Sequence, residues 1–196
     1  KINKNKVLLN FKFNAWAKYK DYQKDNLINN KISKITKIKK INPTMIINNK
    51  LKQVVLEGGA IDVNGKGSIL LTKECLLSKI QERNPGITKH VLENVLKKYL
   101  NVTNFIWLNK GIEGDDTHGH IDDITRFVSE NTIMTAVENN KKDINYLNLK
   151  ENYKILNQAK NLKGKKFRII KIPMPKPIYI DNTRVPASYL NFYIAN

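Results

Sequence analysis

Residues 111–123, GIEGDDTHGHIDD, carry Asp115, Asp116, His118, His120, Asp122 and Asp123 within nine positions. Acids and imidazoles this crowded are costly to hold together unless a ligand, a proton transfer or a metal uses them. The alternation His118-x-His120-x-Asp122 would place three metal-ligating side chains on one side of an extended segment. Against a metal, the only other histidine, His90, falls on a predicted helix, and Cys75 falls in a strand-to-loop region elsewhere. A purely structural loop, with aspartates capping turns, is the plain alternative. A second constellation is Leu56-Glu57-Gly58-Gly59, a carboxylate at the end of a β run followed by two glycines. Paired glycines permit close backbone approach or sharp redirection and leave Glu57 facing whatever fills the space. Taken alone, such a pair is ordinarily a turn and such a glutamate is ordinarily solvated.

The elements that must position these residues follow from the hydropathy pattern. Residues 7–14 (VLLNFKFN) are rich in strand formers, and residues 21–39 read as a helix that Pro43 closes off. Within that helix, KISKITKIKK sets Ile32, Ile35 and Ile38 three apart, one face with its lysines in water. Short β runs follow at 45–47, 53–56, 60–63 and 68–71, with Asn64-Gly65 predicting a tight type I′ hairpin between the last two. Thr88 can cap a helix reaching Leu100, whose Val91, Leu92, Val95, Leu96 and Tyr99 share a face. A buried strand at 105–108, a polar glycine-bearing loop at 109–123, and strands at 126–128 and 132–137 come next. Then come a helix at 149–162, strands at 167–172 and 178–180 separated by Pro173, Pro175 and Pro177, and a final strand at 189–194. The loose ββα rhythm lacks the strict alternation of a doubly wound sheet and predicts a mixed α/β fold of structurally repeated modules, with no close sequence repeat. One domain over residues 1–196 is expected. Because the first strand has no lead-in and the last no following element, the chain is expected to be an inner segment of a larger fold.

Read together, LEGGAIDVNGKG, ECLL followed by RNP, FIWLNKGIEGDDTHGHIDDITRFV and RVPASYLNFYIAN resemble, in order and spacing, blocks of the agmatine deiminase family. That family also contains bacterial-type peptidylarginine deiminases, and NFKFNAWAKYKDYQKD resembles its first recognisable block. The resemblance spans almost the whole chain. It implies the pentein fold, an α/β propeller of repeated ββαβ modules around a central channel, here a partial propeller missing its N- and C-terminal parts. It also implies that His120 is the general acid/base, that Asp122 grips a guanidinium and that Glu57 contacts the substrate, the three converging on one cavity. A planar guanidinium offers five N–H donors and no acceptor, so carboxylates at fixed angles are the physical requirement. In the implied mechanism a Cys thiolate attacks the guanidinium carbon, and His120 protonates the departing ammonia and then activates water. The family's nucleophile belongs to a Gly-rich block, and a further aspartate to a Trp-x-Arg-Asp motif; neither occurs in these residues, so they are expected to be inactive alone. Cys75 matches the family's non-catalytic ECLL cysteine and reads as a small core residue. Trp16 is a candidate for the channel or for the core, and Arg184 and Tyr189 for ordering a nearby strand.

The resemblance implies a small guanidinium substrate, agmatine first, with N-carbamoylputrescine and ammonia as products, and no cofactor or metal. Peptidyl or free arginine would use the same residues, and a homo-oligomer is left open. The formal charge of +18 suggests nucleic acid at first sight, but only four of the 35 basic residues are Arg, the type best suited to phosphate and base recognition. Lysines intermixed with Asn and Ile along the whole length read as a generally basic surface, so no specific nucleic acid is expected. A basic binding module or a degenerate relic are the alternatives from other classes. No apolar run is long enough to span a membrane, and a single cysteine that cannot form an internal disulfide makes a reducing cytoplasm the expected setting.

Overall fold

A computed structural model describes residues 6–194. Of the opening Lys-Asn-Ile alternation only Lys6 lies within them, and the last two positions of the RVPASYLNFYIAN block lie outside them. In chain order the elements are β1 (Val7–Leu9), α1 (Ile28–Thr36), β2 (Lys39–Ile41), β3 (Thr44–Ile47), β4 (Lys50–Gln53), β5 (Asp62–Val63), β6 (Ser68–Thr72) and α2 (Lys73–Leu77). There follow α3 (Lys89–Leu100), β7 (Asn104–Leu108), β8 (Thr125–Ser129), β9 (Thr132–Val137), α4 (Asn145–Gln158), β10 (Arg168–Pro173), β11 (Ile178–Ile180) and β12 (Thr183–Val185). The chain divides into two compact units, one running to Glu57 and including Lys79–Asn101, the other formed by Gly58–Ser78 and the residues from Val102 onward.

In the first unit β1 and β2 pair in parallel, Leu8 opposite Lys40, with α1 between them in the chain. The helix expected over 21–39 stops at Thr36 because Lys37 turns left-handed, and Lys39–Ile41 then serves β1 as a strand. The isoleucine stripe is not a core face among the described residues, since Ile35 is 82% exposed. The β3–β4 hairpin turns on Asn48 and Asn49, both at positive φ, which moves the second strand to Lys50–Gln53 from the expected 53–56. Val55 instead makes a single parallel bridge to Lys12. Helix α3 begins as expected: the Thr88 hydroxyl accepts the Val91 N–H at 3.3 Å, and Leu92, Val95 and Leu96 are buried. Ala15, Trp16 and Ala17 all adopt left-handed φ of 49°, 60° and 55°. Non-glycine residues disfavour this region by about 1 to 2 kcal/mol each. The turn is held by Asn14, whose side chain accepts the Ala17 N–H at 3.0 Å, and by the Gln81 amide on the Trp16 carbonyl at 3.1 Å. Trp16 makes edge-to-face contacts with Phe13 and Tyr19 and is half-buried.

The second unit repeats one pairing scheme. β5 and β6 run antiparallel and β6 and β7 parallel, with Leu70 opposite Ile106. β8 and β9 run antiparallel, and β9 and β10 run parallel with α4 between them in the chain, Ile133 opposite Ile169. The β5–β6 hairpin is present but is not a two-residue type I′ turn. The Asn64 side chain accepts the Lys66 and Ser68 N–H groups at 2.9 and 3.0 Å, and positive φ falls on Gly65 and Gly67. Local capping by Asn64 thus lengthens the loop. The core joins Leu70, Ile106, Leu108, Ile121, Ile124 and Ile133 of the strands and loop with Leu149 and Leu156 of α4. The expected strand at 189–194 is not formed: Ser188 and Asn191 fasten this segment to Asp123 through side chains, while Leu190 is buried in the core. β12, by contrast, pairs with β11 through a turn at Asp181–Asn182 that the proline-rich surroundings concealed.

Candidate active site

The loop after β7 is shaped by one carboxylate. Asp115 Oδ2 accepts the Gly119 and His120 N–H groups, each at 2.9 Å, and Oδ1 accepts the Thr117 N–H at 2.8 Å and its hydroxyl at 2.5 Å. His118 and Gly119 take positive φ, so the chain reverses here instead of extending. The alternation on which a His118–His120–Asp122 metal site was premised is therefore lost, and the His118 ring lies 3.2 Å from the Ser78 hydroxyl. The reversal is closed from below: the Thr72 hydroxyl donates to the Gly119 carbonyl at 2.5 Å, and the Gly111 N–H donates to Glu74 Oε2 at 2.8 Å. A Cβ on Gly111 would lie 2.6 Å from the Gly119 backbone, so the loop closes on itself here because Gly111 lacks a side chain, while a Cβ on Gly119 would lie 2.7 Å from Glu74 Oε2. At the loop's other flank α4 supplies two buried amides. Asn152 accepts the Asn109 N–H at 2.8 Å and donates to the Lys110 carbonyl at 2.7 Å, and Asn145 accepts the Glu113 N–H at 2.8 Å. Seven residues apart, these amides share one helix face, a spacing that could have been noticed in the sequence but carried no partner there.

This frame delivers His120 and Asp122 onto Gly59. The Gly59 carbonyl accepts the Ile121 and Asp122 N–H groups at 3.0 and 3.3 Å. A Cβ on Gly59 would stand 2.4 Å from His120 Nδ1 and 2.9 Å from Asp122 Oδ2. His120 is buried, its Nδ1 lies 3.9 Å from Asp122 Oδ1, and that oxygen accepts no hydrogen bond among the described residues. Burial raises the Asp122 pKa, while His120 and Arg126 pull it back and Asp115 adds to the rise. Next to it, burial pushes the Asp123 carboxyl up to about 6, against the Asn191 hydrogen bond that favours its anion. Asp62 is likewise raised by burial, opposed by the Phe127 N–H and by Arg126.

Glu57, in the first unit, is buried at 8% exposure and ion-paired, its Oε1 3.0 Å from Arg83 Nε. Arg83 also donates to the Gln81 carbonyl, and the neighbouring Asn84 amide both accepts from and donates to the Val55 backbone, at 2.9 and 2.8 Å. Two residues of the RNP block thus act as a side-chain strand beside the Glu57 segment, roles no local pattern announces. Cys75 stands in α2, not at a strand end as expected; its N–H is capped by Thr72, and the residue is buried. Arg184 makes two 3.0 Å hydrogen bonds to Asp143, and its carbonyl lies where a Cβ on Gly114 would come within 2.4 Å. Tyr189 is 65% exposed and orders no strand. Among the described residues no helix is long and apolar enough to cross a membrane.

A mixed α/β protein in which a buried histidine and a carboxylate lie against a glycine turn has the parts of a proton-transfer site for a cationic ligand. The sequence model of the Porphyromonas-type peptidyl-arginine deiminases matches residues 2–196, and the chain belongs to this family. The agmatine deiminase of Medicago truncatula is 34% identical over 212 residues, covering 96% of this chain and 54% of the relative. Among solved structures, C. jejuni agmatine deiminase carrying a C315S substitution, with substrate bound, superposes with a TM-score of 0.82 at 33% identity, covering 99% of this chain and 54% of that one. The Enterococcus faecalis agmatine deiminase superposes with a TM-score of 0.81 at 28% identity, covering 96% and 55%. The chain thus spans about half the length of the relatives it matches.

Proposed function

We propose that the full-length protein hydrolyses a guanidinium substrate, agmatine to N-carbamoylputrescine and ammonia, with Glu57, His120 and Asp122 as its site residues. In this reading the two carboxylates hold the planar cation through its N–H donors. A thiolate from outside these residues, whose single cysteine is the buried Cys75, bonds to the guanidinium carbon. The tetrahedral adduct collapses as His120 hands a proton to the departing ammonia, leaving a thiouronium ester. His120 then takes a proton from water, whose oxygen replaces sulfur to give the ureido product. The observation that carries the reading is the seating of His120 and Asp122 on Gly59, the last residue of the Glu57-Gly58-Gly59 turn, at distances that exclude any side chain there.

The repeated strand pairing of β5–β7 and β8–β10 supports a propeller of ββαβ modules, in which residues 1–196 form part of a single catalytic domain. A single cysteine, which cannot form an internal disulfide, suits a cytoplasmic setting. The family description, peptidyl-arginine deiminase, makes peptidyl arginine the alternative substrate, since the guanidinium end would be shared. Ammonia release by the full-length protein from agmatine, free arginine and a blocked arginyl peptide separates them. Highest kcat/KM on agmatine is expected; preference for the peptide reassigns the substrate, and no release from any of the three rejects the reading.

A further inference from the structure

Arg126 stands on β8, four residues beyond Asp122. Its Nη1 lies 3.8 Å from Asp122 Oδ2 and its Nε 3.5 Å from Asp62 Oδ1, and all three side chains are largely buried. Asp62, on β5, is itself fixed, because its Oδ2 accepts the Phe127 N–H at 2.5 Å. The Phe192 ring covers the guanidinium carbon at 5.7 Å. Arginine cannot be deprotonated in a protein, so this is a permanent cation between two buried carboxylates. At 3.8 Å it is too distant to hydrogen-bond Asp122, yet close enough to act on it electrostatically through a partly desolvated medium. Asp122 Oδ1, meanwhile, accepts no hydrogen bond among the described residues.

We infer that Arg126, ion-paired with Asp62 at 3.5 Å without a hydrogen bond from its Nε among the described residues and roofed by Phe192, is a positioning residue that holds Asp122 as an aimed carboxylate without occupying its oxygens, leaving them for the substrate cation. The inference rests on the reading of Asp122 given above. A tight two-bond pair, such as Arg184 makes with Asp143, would fill the same oxygens and compete with the substrate. The groups facing Asp122 are His120 and Asp115 from its own loop, the adjacent Asp123, and Arg126 from β8 with Asp62 of β5 behind it. His120 and Arg126 favour its ionised form, and burial and Asp115 oppose it.

The test uses the full-length protein with Arg126→Gln and Arg126→Lys. Two readouts are followed against pH: kcat/KM for agmatine, and the carboxylate carbon-13 NMR signal of Asp122, assigned with Asp122→Asn. In R126Q the acidic limb and the NMR midpoint are both expected to move up by roughly one pH unit, the scale of one nearby charge. R126K, which keeps the cation, is expected to restore most of the wild-type profile. A uniform loss of rate at every pH with both midpoints unmoved would show a merely structural arginine and overturn the inference. If the wild-type protein turns over no guanidinium substrate, the functional reading fails by itself, and the NMR midpoint still decides the inference. Should R126Q fail to fold, Phe192→Leu, which admits water to the guanidinium, is expected to move the midpoint the same way by less; an unmoved midpoint there also overturns it.

Discussion

Gly59→Ala is the sharpest perturbation of the site, because its cost is confined to the residues proposed to do chemistry. The new Cβ would lie 2.4 Å from His120 Nδ1, where ordinary contact begins near 3.4 Å, so the imidazole must retreat by about 1 Å. Asp122 Oδ2, at 2.9 Å, must give as well. Gly59 is not among the positive-φ glycines, so alanine adds no backbone strain. The obstructing atoms are ends of side chains, which limits the stability cost to about 1 to 3 kcal/mol of overpacking. Activity is far more sensitive, since misplacing a reacting group by about 1 Å costs on the order of 100-fold, or about 2.7 kcal/mol of transition-state stabilisation. The adjacent Gly58→Ala is a built-in control, because a Cβ there meets nothing within 4 Å. Steady-state ammonia release by full-length wild-type, G59A and G58A protein, alongside thermal unfolding, gives both quantities. G58A is expected to behave as wild type and G59A to lose about two orders of magnitude in kcat/KM while remaining folded. A folded G59A within about threefold of wild type would refute the claim that this close approach sets the site.

Three further outcomes are expected. Thr88→Ala removes the hydroxyl that accepts the Val91 N–H and should cost about 1 kcal/mol, read as a lower urea midpoint at unchanged slope. Asn152→Leu strips the Asn109 N–H of its acceptor and the Lys110 carbonyl of its donor, at about 1 to 3 kcal/mol for each group left unsatisfied, with faster amide exchange at Asn109. Because the folded Asp123 carboxyl titrates near 6 and its ordinary value is 3.8, the folded state retains a proton that the unfolded chain has released between those pH values. Stability contributed there falls as pH rises from about 4 to about 6 and is level above, and Asp123→Asn should remove that part of the slope in urea midpoints measured across the window.

Elements governed by neighbours in sequence were legible. Helix α3 follows from the Thr88 cap and an apolar face repeating within one turn, and β9 falls on the expected 132–137. Crowding marked the loop that carries His120 and Asp122, and the resemblance of the ordered blocks to a known family singled out these two with Glu57; His120 and Asp122 do meet at Gly59. Where a segment's fate depends on a distant partner, reading along the chain failed. Lys39–Ile41 leaves the helical pattern because β1 needs a parallel neighbour, and residues 189–194 forgo a strand because Ser188 and Asn191 bind Asp123, some 65 residues away.

The sequence by itself determined where acids, imidazoles and turn-forming glycines crowd together, since charge, donor count and conformational freedom are properties of residue types and short spacings; their guanidinium-handling role is what the family resemblance implies. Tertiary structure alone decided that Asp115 would fold the loop around its carboxylate, that α4 would anchor it through Asn145 and Asn152, and that Arg126 would share its charge between Asp62 and Asp122. The reason is physical: hydrogen bonds and charge fields gain their strength from desolvation, and which groups lose water together is settled only when segments remote in the chain pack against one another.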